Sequence, residues 1–277
     1  IGKTRLSAKN FLVDDTHLVA PDLRLATPHS HIDGKVNLDW AALTPRERGH
    51  MDVDVDASLG CHDLMTLAAD YLTPELLKLI PQAPPVTLDV KARGNVDCVE
   101  VEECRLAVMP LGEATVNGTL TNVLTLDSLG ADLKLNAQTR NLNPVHLMLG
   151  LSPTIQFPDM DLSGDVHLHD QRYAGDLRLQ QGSGSARVRG SYDARTEAYR
   201  ANLDVRNLNL HRFLPRDSVY NLTCRARLSG VGTDLLSRRA RANAEVEVDH
   251  LRSGRNNIDN VRLNAHARNG EALLNLY

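Results

Sequence analysis

The chain has 277 residues, 42% of them hydrophobic, with 31 basic side chains against 35 acidic ones and a net charge of -4. A charge this balanced, with a pI near 6.3, leaves no overall positive field for nucleic acid or an anionic membrane surface, so nucleic acid is not an expected partner. No run approaches the roughly 18 to 20 apolar residues that a membrane-spanning helix needs, and the length admits one large β domain or two smaller ones.

The elements are dominated by strict alternation of apolar and polar residues, the mark of strands with one buried face. In MDVDVDASL, Met51, Val53, Val55, Ala57 and Leu59 share one side and Asp52, Asp54 and Asp56 the other. CHDLMTLAADYLTPELLKLI then reads as helix, with Asp63 as cap and Thr73-Pro74 opening a second helix, the whole running to Ile80. After the proline-dense stretch Pro81 to Pro85, VTLDVKARG places Val86, Leu88, Val90 and Ala92 on one face. Ala131, Leu133, Leu135 and Ala137 repeat the pattern, and Asn143 with Pro144 begins another short helix.

Alternation resumes from Tyr173 to Leu179, with Leu177 and Leu179 in phase. Gly182-Ser183-Gly184-Ser185 reads as a hairpin before Ala186 to Tyr192, and Asp193-Ala194-Arg195-Thr196 as the next turn. Ala201, Leu203 and Val205 precede a further short helix capped by Asn209. Leu222, Cys224, Ala226 and Leu228 follow, then Ala240, Ala242, Ala244, Val246 and Val248, and then Val261, Leu263, Ala265 and Ala267. Leu67, Leu147 and Phe213 each stand four residues after a cap. With Ile1 in place of Met, and Ala272 to Tyr277 reading as a strand in progress, the chain is expected to be a piece of a longer protein.

One wetted and one apolar face suits antiparallel sheets. Leu142 and Leu208 are 66 residues apart, and Gly94, Gly164 and Gly230 are separated by 70 and 66, which defines an internal repeat of four or five strands and one short helix. The expected units are 1–80, 81–155, 156–215 and 216–277 of one repeat domain. The expected fold is all-β with short intervening helices, the strand blocks joined into a curled, elongated sheet that forms a groove; the alternative is two β-sandwich domains.

Catalytic patterns are missing. No Gly-x-Ser-x-Gly, Gly-Lys phosphate loop or His-Glu-x-x-His occurs, so no enzyme and no cofactor is expected. Cys61, Cys98, Cys104 and Cys224 form no Cys-x-x-Cys pair, and Cys224 falls in phase with the apolar face. The Asp52, Asp54, Asp56 ladder lacks the glycine and glutamate of a calcium loop. His167 with His169 and His29 with His31 have metal-compatible spacing but no third ligand in sight, so no metal site is expected.

The NLN-apolar signature in AQTRNLNPVHL and LDVRNLNLHRFL, with ATVNGTL, ARVRGSY and SGVGTDL, resembles the AsmA/TamB-like superfamily over most of residues 86 to 277 and more loosely over 30 to 80. The resemblance implies a periplasmic segment of a protein anchored in the inner membrane. Its curled sheet would carry lipids between inner and outer membranes or support outer-membrane protein assembly, with lipid acyl chains and outer-membrane assembly proteins as partners.

On this expectation the apolar face shields lipid tails, which cost about 0.8 kcal/mol per methylene in water, or on the order of 12 kcal/mol for about fifteen carbons. The residues expected to line it are Val53, Val55, Leu88, Val90, Leu133, Leu135, Leu177, Leu179, Leu203, Val205, Val246, Val248 and Leu263. Aromatics make up only 4% of the chain, so the lining is small and aliphatic. A sandwich interior alternates in the same way, so a packed core stands beside the open groove. Two other functions remain open: a structural or adhesive sandwich module, which predicts closed domains, and a carbohydrate-active β-solenoid, against which stands the single tryptophan, Trp40.

Overall fold

The computed structural model describes residues 4–68, 85–140, 142, 154–232, 240–268 and 271–277. The N-terminal third holds β1 (Arg5–Lys9), β2 (Leu12–Val13), β3 (His17–Ala26), β4 (His31–Asp39), β5 (Met51–Leu59) and the helix α1 (Cys61–Ala68). There follow β6 (Val86–Asn95), β7 (Cys98–Val108), β8 (Gly112–Thr121), β9 (Gly130–Thr139), β10 (Met160–His169), β11 (Arg172–Gln181) and β12 (Gly184–Asp193). The chain closes with β13 (Ala198–Asn209), β14 (Val219–Val231), β15 (Arg241–Ser253), β16 (Asn256–Arg268) and β17 (Glu271–Leu276).

These strands form one 17-stranded antiparallel sheet, elongated and curled and not closed into a barrel. From β3 to β17 each strand pairs with the next in sequence. β1 and β2 lie end to end along the outer side of β3, interrupted where Asn10 takes a positive φ of 52°. At about 4.8 Å per strand the run from β3 to β17 is about 70 Å long.

Pairing continues through every expected unit boundary: β5 with β6, β9 with β10, and β13 with β14. The two-sandwich alternative needs separate facing sheets, and the described strands make one. A solenoid would stack its strands in parallel, whereas every register here is antiparallel.

The apolar residues do not alternate without interruption, and bulges absorb each change of phase. In β3 the apolar set moves from Leu18 and Ala20 to Leu23 and Leu25, and the register shifts between Ala20 and Leu23, where Pro21 has no N–H to give. In β7 it moves from Val99 and Val101 to Cys104 and Leu106, and the bulge falls at Glu102 and Glu103. In β13 it moves from Val205 to Leu208 across Arg206 and Asn207. Asn207 has φ 47°, and its N–H donates to Thr223 Oγ1 at 3.0 Å. Without these extra residues half of each strand would present its polar side to the wrong face.

The helix expectations are met in part. α1 begins at Cys61, so Asp63 sits in its first turn rather than at the cap, because its carboxylate is engaged elsewhere: Ser30 Oγ donates to it at 2.6 Å, and Thr27 Oγ1 also donates. Asn209 does cap, accepting from His211 N at 3.2 Å, but the element is a single 3-10 turn, Leu210–Arg212. Thr73-Pro74 and Asn143-Pro144 lie outside the described residues. The expected glycine hairpin is present, with Gln181 paired to Gly184 across Gly182 and Ser183.

The sheet has little enclosed interior. Among the described residues its one buried cluster is Val205, Leu208 and Cys224, flanked by Phe213, Leu210 and Leu222, where the 3-10 turn folds against β13 and β14. Burial pushes the Cys224 thiol pKa up, as expected of a structural cysteine. Val205 is 4% exposed and Val188, on the same face, is 42% exposed. Truncating Val205 to alanine is expected to cost about 1 to 2 kcal/mol in urea unfolding and Val188→Ala less than about 1 kcal/mol, since only the first site loses packed neighbours.

Candidate functional site

Cross-strand register turns the period-two pattern into continuous rows. One row reads Leu23, Gly34, Val55, Val90, Cys104, Val116, Leu135, Gly164, Leu177, Val188, Leu203, Ala226, Val246, Leu263 and Leu276, each residue opposite the next from β3 to β17. The row on one side of it carries Leu88, Leu179, Val205 and Val248, and the row on the other carries Val53 and Leu133. All thirteen residues expected to line the apolar face therefore fall in three adjacent rows. None of these rows contains a charged side chain.

A fourth row, at the sheet margin, lies outside the expected lining. It brings Tyr173, Tyr192 and Tyr199 side by side, with the Tyr173 and Tyr192 rings 6.2 Å apart, while Tyr199 lies over Gly230 so closely that a Cβ there would strike its ring. The phenolic row gives the aliphatic strip an amphipathic rim.

The apolar face is only partly shielded. Most of its residues are half-buried, Leu228 is 41% exposed and Leu106 43%, and no large side chain among the described residues is fully buried. No second sheet of described strands packs on it. A filled sandwich interior would bury these positions, so the packed-core reading does not describe this part of the chain.

On the opposite face β8 to β14 floor an open depression of about 1000 Å³. Its polar lining side chains stand at every second position, Asn136 and Gln138, Arg178 and Gln180, Arg187 and Arg189, which marks the polar side of the sheet, and the intervening Ala137, Leu162, Leu179, Ala186, Leu203 and Ala226 border it as well. Arginine is prominent there. The sequence carries the signal as alternating Arg in DLRLQ, ARVRG and CRARL, which strand by strand marks only a wetted face.

The histidines of both candidate pairs are engaged by neighbouring side chains. His167 and His169 both bond to the Asp132 carboxylate, at 2.6 and 3.0 Å, and His31 pairs with Asp33 at 2.6 Å. His29 stacks edge-on with His62 at 5.5 Å. No group of three or more His, Cys, Asp or Glu side chains placed to hold a metal ion occurs among the described residues. Asp52 and Asp54 stand opposite Arg93 and Lys91, and Trp40 sits in a 3-10 turn donating to Asp14 O at 2.9 Å. Among the described residues no disulfide joins the cysteines.

No family model, curated protein or solved structure matches the chain. Among the described residues no helix is long and apolar enough to cross a membrane.

The acidic part of the polar face carries an electrostatic cost. Asp33, Asp56 and Asp89 are adjacent in one row, between Arg24 and Arg105. Partial burial, then the hydrogen bond and repulsion of Asp56, raise the Asp89 pKa above the ordinary 3.8. A carboxyl raised by folding holds its proton more tightly in the native state, so the penalty is absent below 3.8 and complete above the raised value. Asp89→Asn is expected to raise the thermal midpoint at neutral pH and leave it unchanged in acid below 3.8, as calorimetry at the two pH values would show.

Proposed function

We propose that this chain is a non-catalytic lipid-shielding segment whose apolar face holds acyl chains against water. The observation that carries the reading is the set of registered apolar rows, which start at β3 and reach β16 or β17 with no charged side chain among them. An apolar strip of such length left in water is unfavourable by about 25 cal/mol for each Å² exposed, so it is a surface for something equally apolar. Acyl chains suit it better than a protein partner does. The three central rows are Leu, Val, Ala and Gly with Ile32, Cys104 and Cys224, and aromatic anchors of the kind that dominate protein interfaces are confined to the tyrosine row at one margin.

Strands of about ten residues span about 33 Å, enough to lay an extended tail of about fifteen carbons across the sheet. The reading agrees with the AsmA/TamB-like resemblance, which adds a periplasmic setting, an inner-membrane anchor in the full protein, and transfer towards the outer membrane or support of outer-membrane protein assembly. The adhesive-module reading predicts closed domains, and the unbroken pairing across unit boundaries gives it no support.

Val188 and Leu228 are the residues to test, because each is more than a third exposed in the sheet and can be changed without opening the buried cluster. Mass spectrometry of organic extracts from the natively purified chain is expected to find phospholipid, reduced several-fold in a Val188→Asp, Leu228→Asp double variant of unchanged circular dichroism. Lipid-free extracts from the wild type would overturn the reading.

A further inference from the structure

The chain as a whole is acidic, yet the depression on the polar face gathers Arg178, Arg187, Arg189, Arg206, Arg225 and Arg227 within four neighbouring strands, β11 to β14. The acidic residues in its lining are Glu113, Asp161 and Asp204. Two of them are already occupied from outside the group, Glu113 by Arg105 at 2.6 Å and Asp161 by Arg140 at 3.6 Å. Asp176 is shared between two guanidinia, holding Arg187 in a two-pronged pair and Arg189 at 3.3 Å. Arg225 pairs with Asp249 at 3.1 Å, and Arg206 with Asp204 at 2.9 Å.

The Arg178 side chain has no hydrogen-bond or ion-pair partner among the described residues, feeling the Asp176 carboxylate only from a distance, and it stands directly opposite Arg187 in the register. Like charges facing each other across a strand pair are destabilising, and an anion between them reverses the sign of that interaction. The other guanidinia keep exposed surface and free donors: the side chain of Arg187 is 34% exposed, that of Arg189 58% and that of Arg225 60%.

We propose that this depression is a binding site for a ligand bearing phosphate groups, seated between Arg178 and Arg187 and reached by Arg189 and Arg225. Guanidinium forks match phosphate oxygens in pairs, and the aspartate partners orient the forks without neutralising all of them. A volume of about 1000 Å³ is too large for one phosphate ion and suits several linked phosphates or clustered headgroups. The site is on the face opposite the acyl-shielding strip and stands independently of that reading.

The test titrates the whole chain with sodium tripolyphosphate by calorimetry at low and raised salt, and in parallel floats it with phosphatidylglycerol vesicles. The wild type is expected to bind one of these probes, more weakly as salt rises. Arg178→Ser is expected to weaken that binding about tenfold, with Arg178→Lys recovering part of it. The Val188→Asp, Leu228→Asp variant is expected to bind tripolyphosphate as the wild type does, separating this site from the apolar face. Arg178-dependent binding of tripolyphosphate would identify a soluble polyphosphate ligand, and Arg178-dependent flotation alone would identify lipid headgroups. Failure to bind either probe, or equal binding by wild type and Arg178→Ser, would overturn the proposal.

Discussion

Cross-strand register is the constraint on which the rest of the molecule depends. Side chains alternate faces at every residue, so a slip of one position in any strand would turn its leucines and valines outward and its charges inward. The sheet holds its register through fourteen consecutive pairings from β3 to β17, and where the apolar sequence falls out of step a bulge restores it. The bulges at Pro21-Asp22, Glu102-Glu103 and Arg206-Asn207 are therefore what keeps the apolar rows continuous.

The two faces divide the physical tasks. The apolar face provides a long aliphatic strip with one tyrosine margin; buried small residues such as Ala20, Ala57 and Ala131 are scattered along it, and a buried cluster forms where a 3-10 turn folds over β13 and β14. Charge is unevenly spread on the other face. Carboxylates crowd into the row Asp33, Asp56 and Asp89, whereas arginines concentrate on β11 to β14. Cross-strand pairs such as Arg187 with Asp176 and Arg225 with Asp249 stitch neighbouring strands, but these are solvent-accessible and each adds little stability alone.

Strands with an uninterrupted pattern, such as Met51–Leu59, Val86–Asn95 and Arg172–Gln181, are legible in the sequence because alternation over five or more residues fits a half-buried strand and would scatter apolar side chains around a helix. β3 and β7 are not, since each changes phase midway and reads as two half-strands, and a bulge becomes visible only once a partner fixes the count. The thirteen lining residues are legible for the same reason as the regular strands, as members of one face. Their alignment into rows depends on loop lengths and register that alternation does not encode. The arginine group is hidden in the sequence because its members come from four strands, and each alone is an ordinary wetted residue. Asp63 looks like a helix cap in isolation, because the partners that claim its carboxylate, Thr27 and Ser30, lie more than thirty positions earlier in the chain.

From β3 onward, pairing only between sequence neighbours has a consequence for how such a molecule is made and lengthened. Each hairpin needs nothing from distant parts of the polypeptide, so ordering can start at any β-turn and spread outward like a zip, with small loop-closure cost at each step. Inserting or deleting a whole hairpin would change the reach of the sheet by about 10 Å while leaving every other contact as it was. Removing a single strand would instead reverse the direction of all that follow. Length can thus be tuned in paired increments, a ruler whose divisions are hairpins.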